Sequence, residues 1–203
     1  MIYVHIPFCR SFCTYCGFYS EVAGKDSTRY SAYVDSLVAE AAMREDEIEA
    51  GLGKNTLYIG GGTPSVLPLV DLRRIVEATD GTSWEEFTME LNPDDVVHKG
   101  MEYLLGLKEL GVSRVSLGVQ SFDDGLLHWM NRRHNADEAE KAVRMLQVAG
   151  FSKVSIDLIF GIGDFAGREF TDEMWSGSID RALALGCQHI SAYQLSIEPD
   201  SAL

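Results

Sequence analysis

Lys153-Val154-Ser155-Ile156-Asp157-Leu158-Ile159-Phe160 is a short apolar run that stops at Gly161. A second run of the same kind, Ser113-Arg114-Val115-Ser116-Leu117-Gly118-Val119, lies upstream. Between them, residues 136–149 carry apolar side chains at helical spacing and close on Gly150. Strand, helix and strand in that order form a crossover unit, which requires the two strands to be parallel. Working outward, strand-like runs recur at residues 2–6, 56–59, 87–91 and 189–195, and helical patterns at 27–50, 69–78, 100–110 and 170–185. Gly111, Gly150 and Gly186 each stand where a helix should end. Six strands separated by five helices predict an α/β fold, a parallel sheet with helices outside, in one domain. A doubly wound sheet and an open or closed βα barrel fit the alternation equally well.

The bulk composition excludes several classes. The 203 residues are 46% hydrophobic and 24% charged, which rules out a disordered, collagen-like or disulfide-dense chain. Seventeen Lys and Arg against 31 Asp and Glu give a net charge of −14, so phosphate backbones and anionic membranes are repelled and no nucleic-acid partner is expected. No apolar run reaches the roughly 18 residues of a membrane span, and the stretch from Met1-Ile2-Tyr3-Val4-His5 shows no basic segment followed by an apolar one of the kind a secretory signal has. The expectation is a cytoplasmic protein without an integral membrane segment.

Cysteine usage is uneven. Cys9, Cys13 and Cys16 fall within one short stretch, and Cys187 stands alone. A disulfide framework is out of place in a reducing compartment. Three thiols at this spacing read as ligands of a metal or an iron–sulfur cluster, because one turn of backbone can aim all three at one point. Structural zinc and electron-transfer clusters want four protein ligands. Three sulfurs on a four-iron cube leave one iron free to hold something else. Zinc completed by His5 or Cys187 is the alternative; Cys187 itself reads as a small core thiol.

The other polar residues cluster just after the strands. Gly60-Gly61-Gly62-Thr63-Pro64 follows the second strand, Glu90 and Asn92 close the third, Gln120 and Ser121 the fourth, and Asp157 lies late in the fifth. In βα folds this C-terminal rim is where sites form. Each residue has a plainer reading: a tight turn for the glycines, a helix cap for Glu90, an ion pair for Asp157. The glycine run lacks the Lys-Ser/Thr of a phosphate loop. Gathered on one rim with three cysteines, these residues suit a cofactor bearing an amine, a carboxylate and hydroxyls.

Cys9-x-x-x-Cys13-x-x-Cys16, with Tyr15 before its last cysteine, resembles the signature of the radical S-adenosylmethionine family. Tyr3-Val4-His5-Ile6-Pro7-Phe8-Cys9, Gly60-Gly61-Gly62-Thr63-Pro64-Ser65, Glu90-Leu91-Asn92-Pro93, Gly118-Val119-Gln120-Ser121-Phe122 and Asp157-Leu158-Ile159-Phe160-Gly161 narrow it. In order, they are similar to the branch that holds oxygen-independent coproporphyrinogen III oxidase and the HemW-type heme chaperones. The resemblance implies a partial (βα)6 TIM-like barrel. It implies a 4Fe-4S cluster on Cys9, Cys13 and Cys16, with S-adenosyl-L-methionine on the open iron. Reductive cleavage of that cofactor gives methionine and a 5′-deoxyadenosyl radical, so an electron donor is implied too. Tyr3 and the Tyr15 backbone are then expected against the cofactor, Gly61, Gly62 and Thr63 at its methionine end, Glu90 polar to it, and Gln120, Arg132 and Asp157 along the rim. Arg132 fits through Arg132-x-His134.

Departures from the branch point within it. The oxidase has a further cysteine two residues after the last cluster ligand, where this chain has Phe18, as the chaperones do. The chain also starts directly on its first strand, without an N-terminal extension of the oxidase kind. The loop after the fifth strand reads Gly161-Ile162-Gly163-Asp164 without the usual proline, a departure that bears on the cofactor contacts there and not on the fold. The chaperone reading implies heme as cargo and a heme-acceptor protein, such as a respiratory enzyme; the alternative is radical decarboxylation in porphyrin biosynthesis. Family members continue well past this length, so residues 1–203 are expected to be the core domain, with its cluster loop at 9–16, truncated after the sixth strand and lacking the family's C-terminal domain.

Overall fold

A computed structural model describes residues 1–23, 27–51, 55–79, 84–197 and 201–203. Its elements run β1 (Ile2–Ile6), β2 (Phe8–Cys9), β3 (Glu21–Val22), α1 (Ser27–Met43), α2 (Glu45–Gly51), β4 (Thr56–Gly61), α3 (Leu69–Ala78), β5 (Glu86–Leu91), α4 (Pro93–Glu109), β6 (Arg114–Gln120), α5 (Asp124–Trp129), α6 (Ala136–Val148), β7 (Lys153–Phe160), α7 (Asp172–Ala184) and β8 (His189–Gln194).

The sheet order decides between the two architectures that the alternation left open. Six strands pair in the order β1-β4-β5-β6-β7-β8, every pair parallel. Each strand therefore lies beside its predecessor, with no reversal of the kind that creates a doubly wound sheet. Right-handed crossovers then lay the connecting helices on one side, while the short α5 packs in a separate cluster with Ile159. The sheet is a partial barrel with β1 and β8 as its edges.

Side-chain parity follows from the pleat. Val4, Ile6, Leu57, Ile59, Phe87, Met89, Leu91, Val115, Leu117, Val119, Val154, Ile156 and Leu158 are buried in one core against the helices. The alternate positions carry Tyr58, Glu90, Ser116, Ser155, Asp157 and Ser191, which bond to one another across the strands. The concave face is thus polar while the convex face is oily.

Helix ends follow local chemistry. Asn135 and Glu138 form a reciprocal capping box on α6. The Thr171 hydroxyl accepts from the Met174 N–H on α7, and Asp123 accepts from Leu126 on α5. Gly111, Gly150 and Gly186 all take positive φ just past α4, α6 and α7, as their positions predict.

Several elements differ from the sequence pattern. The single helix expected over 27–50 breaks at Arg44, where the acidic Glu45, Asp46 and Glu47 open a new first turn that suits their charge. Asn92-Pro93 reads as a breaker, yet Pro93 takes the first helical position of α4, which proline tolerates. Gly100, at φ 71° and ψ −170°, interrupts that helix, so the apolar period restarts there. The six-residue α5 is too short to show a period.

Candidate functional site

The segment after β1 carries the three cysteines and is tied down at both ends. Phe8 and Cys9 pair with Glu21 and Val22 in a small parallel ladder. The Thr14 N–H donates to the Met130 carbonyl at 3.2 Å, and its hydroxyl to that of Trp129. Arg10, between the first two cysteines, pairs through Nε with the buried Asp95 at 3.1 Å. Tyr15 packs on a satellite cluster of Leu126, Met130, Ile159, Ile162 and Phe165, so the aromatic residue before the last cysteine anchors the loop. His5 donates from Nε2 to the Tyr19 carbonyl at 3.1 Å, which leaves Nδ1 to accept from Tyr3 at 3.0 Å. His5 is a strut for the far end of the loop.

The loop and the strand ends enclose a cavity of about 590 Å³. Cys9, Cys13, Cys16, Tyr15, Gly61, Gly62, Thr63, Glu90, Gln120, Arg132 and Asp157 all line it. Tyr3 does not; it lies half exposed on β1, beside His5 and Tyr58. Glycine is required by close approach: a Cβ on Gly62 would sit 2.9 Å from the Cys9 sulfur, and one on Gly61, at φ +117°, 2.8 Å from the His5 ring.

Each polar lining residue is held by partners. Glu90 accepts from the Tyr58 hydroxyl at 2.6 Å and the Gly61 N–H at 3.1 Å. Burial still lifts its carboxyl above the ordinary range, against both donors. Asp157 is lifted for the same reason, against the hydroxyls of Ser116 and Ser191. Gln120 ends β6 at φ 70°, just after a bulge at Gly118, and that left-handed turn puts it on the cavity wall.

Arg132 lines the cavity and is held by three acceptors. Its Nη1 donates to the Cys13 sulfur at 3.3 Å, and Nη2 to Asn92 Oδ1 at 2.8 Å and the Gly118 carbonyl at 2.6 Å. Burial by itself would lower its pKa, but Tyr15 and Cys13 beside it outweigh that and hold it charged. Burial raises the Cys9 thiol, opposed by hydrogen bonds from Thr63 and Ser20; burial raises Cys16 as well. Among the described residues, no group of three or more His, Cys, Asp or Glu is set closely enough for a single metal ion. Three soft donors, a guanidinium and a polar strand rim around one roomy cavity suit a larger thiolate-bound guest with a polar organic ligand beside it.

Residue types alone pass over Tyr58, Ser116, Arg10 and Asp95. Parity would find the first two, since each faces the same way as Glu90 or Asp157 on a neighbouring strand. Arg10 and Asp95 are far apart in sequence, and nothing local joins them.

A profile of the Radical SAM superfamily matches residues 3–173. The chain is 37% identical over 205 residues to the heme chaperone HemW of Synechocystis sp., covering 98% of this chain and 48% of that protein. It is 38% identical to the heme chaperone HemW of Lactococcus lactis, covering 97% and 49%. Among solved structures, coproporphyrinogen III oxidase (HemN) from Escherichia coli superimposes with a TM-score of 0.81 at 26% identity, over 97% of this chain and 44% of that one. The chain spans about half the length of the curated relatives it matches.

Proposed function

The chain belongs to the Radical SAM superfamily, and on that premise we propose that it is the cofactor-binding barrel of a HemW-like heme chaperone. One observation carries the cofactor reading: Cys9, Cys13 and Cys16 lie on a single anchored loop and line the same cavity as Glu90, Gln120, Arg132 and Asp157. The three thiolates would hold a 4Fe-4S cluster. Gly61, Gly62, Thr63, Glu90, Gln120, Arg132 and Asp157, with the Tyr15 backbone, would hold S-adenosyl-L-methionine; Tyr3 would act from the β1 edge. When bound, the reduced cluster supplies the electron that cleaves the sulfonium of S-adenosylmethionine.

The protein's own part is to bind, orient and exclude water. The Gly62 backbone lets Cys9 approach the β4 turn. Arg132 places a fixed positive charge against Cys13. Glu90 and Asp157 present carboxyls already oriented by hydroxyl donors.

Two observations favour a chaperone over an oxidase. Phe18, 76% exposed, occupies the place of the oxidase's extra cysteine. The HemW relatives are also more similar in sequence than the structurally aligned oxidase. The proposed partners are heme, a heme-acceptor protein and an electron donor, in the cytoplasm, where free thiols persist. No helix among the described residues is long and apolar enough to cross a membrane. Anaerobically reconstituted protein titrated with heme is expected to develop a Soret band and to leave coproporphyrinogen III unchanged. Decarboxylation of that substrate, dependent on S-adenosylmethionine and reductant, would establish the oxidase instead.

A further inference from the structure

Asn92 occupies the N-cap of α4, a position where asparagine ordinarily caps the helix with its side chain, yet it makes no such bond. Its amide is turned toward the cavity instead. Oδ1 accepts from Arg132 Nη2 at 2.8 Å, and Nδ2 donates to Thr63 Oγ1 at 3.1 Å. Guanidinium can only donate, so the amide oxygen must face Arg132 and the NH₂ must face Thr63. The Thr63 oxygen therefore accepts a hydrogen bond from Asn92, and its own single proton points onward to the Cys9 sulfur, 3.5 Å away. On the other side, Nη2 is committed to Asn92 and the Gly118 carbonyl, and Nη1 is left to the Cys13 sulfur at 3.3 Å. One side chain thus orders two chains of donors that end on two different thiols.

We propose that Asn92 is a positioning residue that aims the Thr63 hydroxyl and the Arg132 guanidinium at the Cys9 and Cys13 sulfurs, and by doing so raises the reduction potential of the bound cluster. This rests on the reading of those thiols as cluster ligands. Donors to ligand sulfur stabilise the more negative, reduced cluster, so removing a donor lowers the potential. The wiring predicts coupling: without the amide donor, the Thr63 hydroxyl no longer has a reason to face Cys9.

The test is a redox titration of reconstituted wild type, T63V, T63S, N92D and N92D/T63V, following the reduced cluster by electron paramagnetic resonance. T63V is expected to move the midpoint to a more negative value, and T63S to keep that of the wild type. N92D preserves the acceptor for Arg132 but draws the Thr63 hydroxyl to itself. T63V should then add no further shift in the N92D background, whatever the new charge does to the absolute potential. N92L provides a second background, in which the T63V shift should fall to less than half. A T63V shift of equal size in all backgrounds, or none in the wild type, overturns the proposal. So does loss of the cluster from both Asn92 variants while wild type and T63V retain it, which marks a structural role. A wild type that holds no cluster overturns the cofactor reading itself.

Discussion

The Tyr58 hydroxyl donates to Glu90 Oε1 at 2.6 Å, across the adjacent strands β4 and β5. This bond and that of the Gly61 N–H favour the carboxylate, while burial favours the acid, and burial prevails. Y58F removes a donor and is expected to push the Glu90 carboxyl higher still. Folded Glu90 titrates above its unfolded range, so it holds its proton where the unfolded chain has lost one. Its contribution to stability is full below the unfolded pKa and is lost as pH rises through the folded one. Y58F should extend that loss upward in pH and cost about 1–2 kcal/mol at neutral pH. Carbon-13 NMR titration of the Glu90 carboxyl checks the first point, and an unmoved curve would refute it.

The proposed cluster makes Cys13 a ligand thiol and Cys187 a bystander. C13A should reduce reconstituted iron and sulfide to background, because two thiolates no longer close the site. Cys187 lies away from the cavity, and burial raises its thiol to about 11, which keeps it protonated and unreactive. C187A should load as the wild type does. Iron and acid-labile sulfide analysis decides both.

His134 gives the fold an acid sensitivity. It is buried, and its Nε2 donates to the Val119 carbonyl at 3.0 Å, while the buried Nδ1 makes no hydrogen bond. Burial first, and the charge of Arg132 second, pull its pKa down to about 3. Between that value and about 6.5, the unfolded chain takes up a proton that the folded chain refuses. Stability should therefore fall as pH drops through this window, by up to about 1.4 kcal/mol per pH unit from this group. H134Q should lack that component. Chemical unfolding of both forms between pH 4 and 7 (about the span of the effect) tests this, and parallel curves would contradict it.

Arg10 ties the cysteine loop to α4. R10M leaves the buried Asp95 with Ser65 but without its cation. The expected cost is about 2 kcal/mol, with weaker retention of the cluster. Thermal melting and a chelator challenge of the loaded protein measure the two effects. A variant that melts and holds iron like the wild type would show that the remaining anchors, the Phe8–Cys9 ladder, Thr14 and Tyr15, hold the loop without Arg10.

How far the sequence reached depended on the range of each interaction. Residues 69–78 and 153–160 match α3 and β7, because each reads from its own apolar period. Residues 27–50 do not, because helical period alone cannot see the charge-driven break at Arg44. Thr63, Glu90, Gln120 and Asp157 were legible as a rim because a parallel strand brings its C-terminal end to one side. Asn92 was visible at that rim, but nothing local distinguishes a capping asparagine from one turned inward.

The sequence by itself determined which chemical groups exist and their order along the chain: three soft thiols at close spacing, five strand ends with polar residues, and a glycine run whose bare backbone permits close approach. Those are local properties of residue type and period. The tertiary structure decided that the sheet is a partial barrel, because only the pairing order shows that no strand reverses. It also decided which donors reach which sulfur. Arg132 meets Cys13, and Thr63 meets Cys9, across long separations in the chain, and such contacts depend on how strands pack rather than on any residue's neighbours in sequence.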